Sequence, residues 1–150
     1  MKNSIVKTLD INAPVARVWR ALTDHAEFGA WFGVSLERPF AVGQTNSGQL
    51  TIKGFEHLVL EVQVQKMDTN RLFSYTWHPY AVDADTDYSG ETPTLVEFSL
   101  EASTNGTLLT ITESGFDKIP AHRRDEAWRM NDGGWAAQIK NIANHVAEPE

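Results

Sequence analysis

"TLVEFSLEASTNGTLLTITES", residues 94 to 114, alternates apolar and polar side chains through both halves and breaks at Asn105-Gly106. Successive strand residues point to opposite sides, so Val96, Phe98 and Leu100 share one face of the first half, and Leu109 and Ile111 one face of the second. Asn-Gly between two such runs tolerates the positive φ that a type I′ turn requires. The stretch predicts an antiparallel hairpin, joined at that dipeptide.

Moving outward, "HLVLEVQVQK" turns through "MDTN" into "RLFSYTWH", a second pair of alternating runs with a short connection. From residue 34 to 115 the pattern is almost wholly of strand type, punctuated by Pro39, Gly43, Gly48, Gly54, Asn70, Gly90 and Pro93. This predicts a long antiparallel meander. Ahead of it, "SIVKTLDI" alternates Ile5, Leu9 and Ile11 against Val6, Thr8 and Asp10, with Lys7 breaking the inner parity. The period then changes. Asn12 and Pro14 form a helix entrance, and Val15, Val18, Trp19 and Leu22 make a helical stripe. Asp24, with Glu27 three residues on, is placed to cap a second short helix carrying Phe28 and Trp31.

A final helix is expected from near Pro120 to Val146. Its apolar side holds Trp128, Trp135, Ile139, Ile142 and Val146, since 128 to 135 is two turns and 135 to 142 two more. Gly133-Gly134 stands at its centre, where each glycine costs about 1 kcal/mol relative to Ala. The pair would let the backbone kink or approach the sheet, or would serve helix-sheet packing alone, and it leaves space beside the two indoles. One apolar-striped helix over one twisted sheet is a complete two-layer α+β domain. No repeat or linker-like composition divides residues 1–150, so a single domain is expected.

Composition narrows the function. The chain has no cysteine, which removes disulfides, thiol catalysis and thiolate metal sites. With 13 basic and 20 acidic side chains the net charge is −7, which disfavours phosphate backbones and anionic lipid as partners. Neither a signal-peptide core nor a run of about 18 apolar residues occurs, and the expectation is a soluble, cytoplasmic protein with no membrane insertion. Phosphate-loop, dinucleotide, zinc-protease and serine-hydrolase motifs are all missing. Asp83, Asp85 and Asp87 imitate the start of a calcium loop, but Tyr88 and Thr94 stand where Gly and a bidentate Glu are needed. His25, His57, His78, His122 and His145 show no metal-ligand spacing. No metal and no cofactor are expected. "HRR" at 122–124 is followed by Asp125 and Glu126 and reads as a solvated helix face.

"INAPVARVWRALTDHAEFGAWFG", "RLFSYTW", "LLTITESGF" and "RMNDGGWAAQIKNIANHV" together resemble the START-related (Bet v 1-like, SRPBCC) superfamily, in its activator of Hsp 90 ATPase homologue-like branch. The resemblance spans nearly the whole chain. It implies a helix-grip fold, a curved antiparallel sheet wrapped around the long C-terminal helix with a hydrophobic cavity between them. It also implies several functions: binding of a small hydrophobic or aromatic molecule, a polyketide cyclase or dehydratase step on an aromatic substrate, or stimulation of an Hsp 90-type chaperone. "HPYAVDADTDYSGETPT" departs from the family pattern in being longer than a tight hairpin loop, and "AVGQTNSGQ" in lacking paired glycines early in the sheet.

Binding without catalysis leads among these readings. Phe73, Tyr75 and Trp77 share one strand face and Phe98 an adjoining one, where bulky rings either fill a core or wall a cavity. With the resemblance, a cavity lined by Trp31, Phe73, Tyr75, Trp77, Phe98, Ile111, Trp128, Trp135 and Ile139 is expected. Glu113 is the one chemistry-bearing candidate, because the parity that turns Leu109 and Ile111 inward turns it inward too. It either lies near the strand's end, reaching water or pairing with Arg123, Arg124 or Arg129, or forms the polar anchor of the cavity and a candidate acid or base.

Overall fold

A computed structural model describes residues 3–83 and 85–148. The order is β1 (Ser4–Ile11), α1 (Val15–Thr23), α2 (His25–Phe32), β2 (Val34–Leu36), β3 (Thr45–Leu50), β4 (Val59–Asp68), β5 (Leu72–Trp77), β6 (Thr94–Ala102), β7 (Thr107–Ser114), a single 3-10 turn (Phe116–Lys118) and α3 (Ala121–Ala147). The seven strands form one antiparallel sheet in the order β1-β7-β6-β5-β4-β3-β2. The chain thus meanders, and β1 closes onto the last strand laid down, with Leu9 opposite Leu109 and Ile5 opposite Glu113. This is the helix-grip arrangement expected.

Local chemistry explains most boundaries. Asp24 Oδ2 accepts from the Glu27 N–H at 3.1 Å and starts α2. Glu27 does not return the bond as a capping box would; its carboxylate takes Arg17 at 2.7 Å, Arg20 at 2.9 Å and His145 at 2.8 Å, tying α1, α2 and α3 together. Lys7, the break in inner parity on β1, reaches Asp132 of α3 at 2.9 Å. In β4 an irregularity at Gln65 shifts register between Val64 and Lys66, as a bulge does.

Three expectations need correction. The β6–β7 hairpin forms, but its turn is centred one residue earlier: Ser103 and Gly106 exchange both backbone hydrogen bonds, at 3.0 and 3.3 Å, around Thr104-Asn105. Asn105 keeps a negative φ, so the turn is not type I′. Gly106, at φ 155°, passes so close to Ile11 and Ala13 that a Cβ would collide with their backbone. Second, Gly133-Gly134 makes no close approach to the sheet: a Cβ at either would meet nothing, and α3 is helical throughout. Third, "HRR" is not simply a solvated face. His122 is exposed, but the Arg123 side chain is only 12% exposed and forms a buried-side ion pair with Glu91.

Aromatic rings fill the space between sheet and helices. Phe73, Tyr75 and Phe98 are fully buried, meet one another edge-on or tilted at 5.8–5.9 Å, and pack with Phe28, Trp31 and Phe40. Such pairs contribute about 0.5–1.5 kcal/mol each beyond area burial.

Candidate functional site

Glu113 lies one residue before the end of β7 and is completely buried. Its carboxylate accepts four hydrogen bonds. Oε2 takes the Trp77 indole N–H at 2.8 Å and the Thr94 hydroxyl at 2.6 Å; Oε1 takes the Trp135 indole N–H at 2.8 Å and the Asn131 amide at 2.9 Å. The placement follows from register. Trp77 stands directly opposite Thr94 across β5 and β6, Val96 stands opposite Glu113, and Asn131 and Trp135 lie four residues apart on one side of α3. One carboxylate therefore bolts three strands to the helix, and among the described residues no cation takes part. Burying a bare carboxylate costs several kcal/mol, which donors to all four lone-pair sites offset.

Of the arginines considered for Glu113, Arg123 is engaged elsewhere and Arg124 donates to the Ile119 carbonyl at 3.0 Å. Arg129 is exposed. Arg123 instead holds the 78–93 connection. Its Nη2 meets Glu91 at 2.6 Å, its Nη1 donates to the Pro79 carbonyl at 2.9 Å, and its guanidinium sits 4.7 Å from the centre of the Tyr88 ring. Tyr80 within this connection has φ 51°, a left-handed value rare for an aromatic residue. Asp83 and Asp87 serve the same loop, accepting from Asp85, Thr86 and Ser89. Residue 84 lies outside the described residues.

Two clefts open beside this assembly. The larger, about 220 Å³, lies between the 78–82 segment, Tyr88, the 58–61 stretch, Phe32 and Asn131. The smaller, about 100 Å³, is walled by Phe32, Trp77, Asn131, Gly134, Trp135 and Gln138. They share Phe32, Trp77 and Asn131. The Trp77 and Trp135 rings are stacked at 5.6 Å and 29°, with Phe32 edge-on to both. Gly134 lacks a side chain where the smaller cleft begins.

The anticipated residues divide accordingly. Trp77 walls both clefts and Trp135, itself only 2% exposed, the smaller; Glu113 lies behind them and lines neither. Phe73, Tyr75, Phe98 and Ile111 are fully buried in the core, and Trp31 and Ile139 nearly so. Trp31 donates to the Ala21 carbonyl at 2.8 Å. Trp128 sits at the sheet's edge, its indole donating to the Ser4 carbonyl at 3.1 Å. The Tyr75 hydroxyl is buried without a partner among the described residues, and burial, then the nearby Glu113 charge, push its pKa well above the ordinary phenol value. Sequence reading missed Thr94, Asn131, Phe32, His78, Tyr80 and Tyr88. Thr94 was visible as the inward position two before Val96, and Asn131 as the residue one turn before Trp135. Among the described residues no group of three acidic or histidine side chains could hold a metal ion, and no helix is long and apolar enough to cross a membrane.

A curved sheet gripping a long helix, with an aromatic-walled opening at one end, defines a START-related helix-grip protein. The chain belongs to the activator of Hsp90 ATPase homolog 1-like family, whose model matches residues 12–147. No curated protein matches it in sequence. Among solved structures it is similar to MLL2253 from Mesorhizobium loti, at 23% identity over 98% of both chains with a TM-score of 0.77. CV1439 from Chromobacterium violaceum is 20% identical over 99% of this chain and all of the other, with a TM-score of 0.72. DynU16, from the dynemicin biosynthetic locus, is 18% identical; 98% of this chain matches 48% of that one, with a TM-score of 0.73. These likenesses describe the fold.

Proposed function

We propose that the chain binds a small, flat aromatic molecule in the paired clefts beside Trp77 and Trp135, without altering it. The observation that carries this is the shared carboxylate. Because Glu113 takes both indole N–H groups, Trp77, backed by the nearly buried Trp135 ring, offers the clefts aromatic surface in a fixed orientation, which suits packing on a ring. A volume of about 220 Å³ suits a ligand of one or two rings. Catalysis finds less support: all four lone-pair sites of Glu113 are occupied, so it is neither a free acid nor a free base. The family's name and a DynU16-like fold leave chaperone stimulation and polyketide chemistry as the competing readings. Ile52, Phe55 and Val59, 40%, 46% and 68% exposed, favour a protein-interaction surface as the second reading.

Quenching of tryptophan fluorescence by an aromatic probe such as 2-naphthol tests the proposal. Saturable binding lost in Trp77→Leu supports it, provided that circular dichroism shows the variant folded. Binding that survives in a folded Trp77→Leu protein places the ligand elsewhere.

A further inference from the structure

The hydrogen-bond pattern of the smaller cleft specifies its ligand more narrowly. Of the six residues that wall it, Phe32 and Gly134 carry no side-chain polar atom. The indole N–H groups of Trp77 and Trp135 are spent on Glu113. Gln138 is engaged at both ends, its Nε2 donating to the Phe32 carbonyl at 3.0 Å and its Oε1 accepting from Asn141 at 3.0 Å. That leaves Asn131. A carboxylate only accepts, so the amide nitrogen of Asn131 must face Glu113, and the amide oxygen is fixed on the other branch of the fork. Among the described residues that oxygen has no partner. The single unengaged side-chain polar atom of the wall is thus an acceptor, held in place by a buried charge.

Resting on the reading of these clefts as a binding site, we infer that the smaller cleft selects a neutral aromatic molecule bearing one hydrogen-bond donor, a phenol or an aryl amine, whose O–H or N–H is received by Asn131 Oδ1. Aromatic acids are selected against. In the smaller cleft a ligand carboxylate would meet an acceptor where it needs a donor and would lie one residue away from the Glu113 charge, in a chain of net charge −7. Ethers and unsubstituted rings fill the same space but leave the Asn131 oxygen desolvated and unpaired, and such pairing discriminates strongly.

Calorimetric titration of the full chain at neutral pH with 2-naphthol, 2-methoxynaphthalene and 2-naphthoate separates these cases without requiring a mutant. The expected order is naphthol tightest, the ether at least fivefold weaker, and naphthoate weakest. Asn131→Leu should bring naphthol and ether within twofold of each other, because it removes both the acceptor that naphthol uses and the unpaired oxygen that the ether buries. Naphthoate binding best, or naphthol and ether binding equally to the wild type, overturns the donor requirement while leaving aromatic binding intact. Failure of all three to bind overturns the binding reading as well. Should Asn131→Leu not fold, the wild-type ranking alone decides.

Discussion

The Trp77 and Trp135 rings stack at 5.6 Å and 29°, and their indole N–H groups end on opposite oxygens of one buried carboxylate. Strand and helix are joined at this point by packing and by charge together. The geometry of the cleft wall therefore depends on Glu113.

Glu113→Gln changes more than charge. The amide keeps one acceptor oxygen but turns an NH2 group toward two donors, either Trp77 and Thr94 or Trp135 and Asn131. The Thr94 hydroxyl or the Asn131 amide can reverse and accept from that NH2, but one buried indole N–H loses its acceptor, so unfolding in urea should show a loss of about 1–3 kcal/mol. Unchanged stability would mean that the four bonds do not hold the wall in solution.

Arg123→Ala should free the 78–93 connection. It removes the Glu91 pair and the donors to the Pro79 and Tyr80 carbonyls, leaving a largely buried carboxylate unpaired at a cost of about 2–4 kcal/mol. Faster limited proteolysis between Asp83 and Gly90, with weaker probe binding, is the expected result. An unchanged cleavage rate would show the loop to be held by other contacts.

The two glycines of α3 should respond differently. A Cβ at either meets nothing. Gly133→Ala should stabilise the helix by about 0.5–1 kcal/mol and leave binding alone. Gly134→Leu places a side chain at the smaller cleft and should weaken probe binding at least tenfold while melting no lower than wild type. Equal binding by both variants would detach the smaller cleft from the site.

Glu27 sets a pH dependence. Burial pushes its pKa up, but hydrogen bonds from His145, Arg17 and Arg20, with the Arg17 charge, outweigh burial and hold it below its ordinary 4.5. A carboxylate with a lowered folded pKa contributes stability above its unfolded pKa and loses it as pH falls through the folded value. Melting temperature should therefore drop below about pH 4.5, and Glu27→Gln should melt lower at neutral pH with a shallower acid drop. An identical acid profile in the variant would remove Glu27 as a cause.

The sheet, the helix and the inward turn of Glu113 were legible because each is written in local periodicity. The partners of Glu113 were not. Trp77, Thr94 and the Asn131–Trp135 pair come from three separate segments, and they meet through the β5–β6 register and the seating of α3, which no local pattern encodes. Arg123 shows the same limit: Asp125 and Glu126 stand beside it in sequence, yet its partner is Glu91, 32 residues away. At Asn105-Gly106, turn propensity yielded to the close passage of Gly106 against Ile11 and Ala13, a contact between segments over 90 residues apart.

The most direct measurement is a nitrogen–proton correlation spectrum of the five indole N–H groups during titration with 2-naphthol. Binding at the paired clefts should move the Trp77 and Trp135 signals together, with one common Kd, and leave those of Trp19, Trp31 and Trp128 in place. Shifts confined to Trp128 or Trp19, or no shift at Trp77 and Trp135 under saturating probe, would contradict the site.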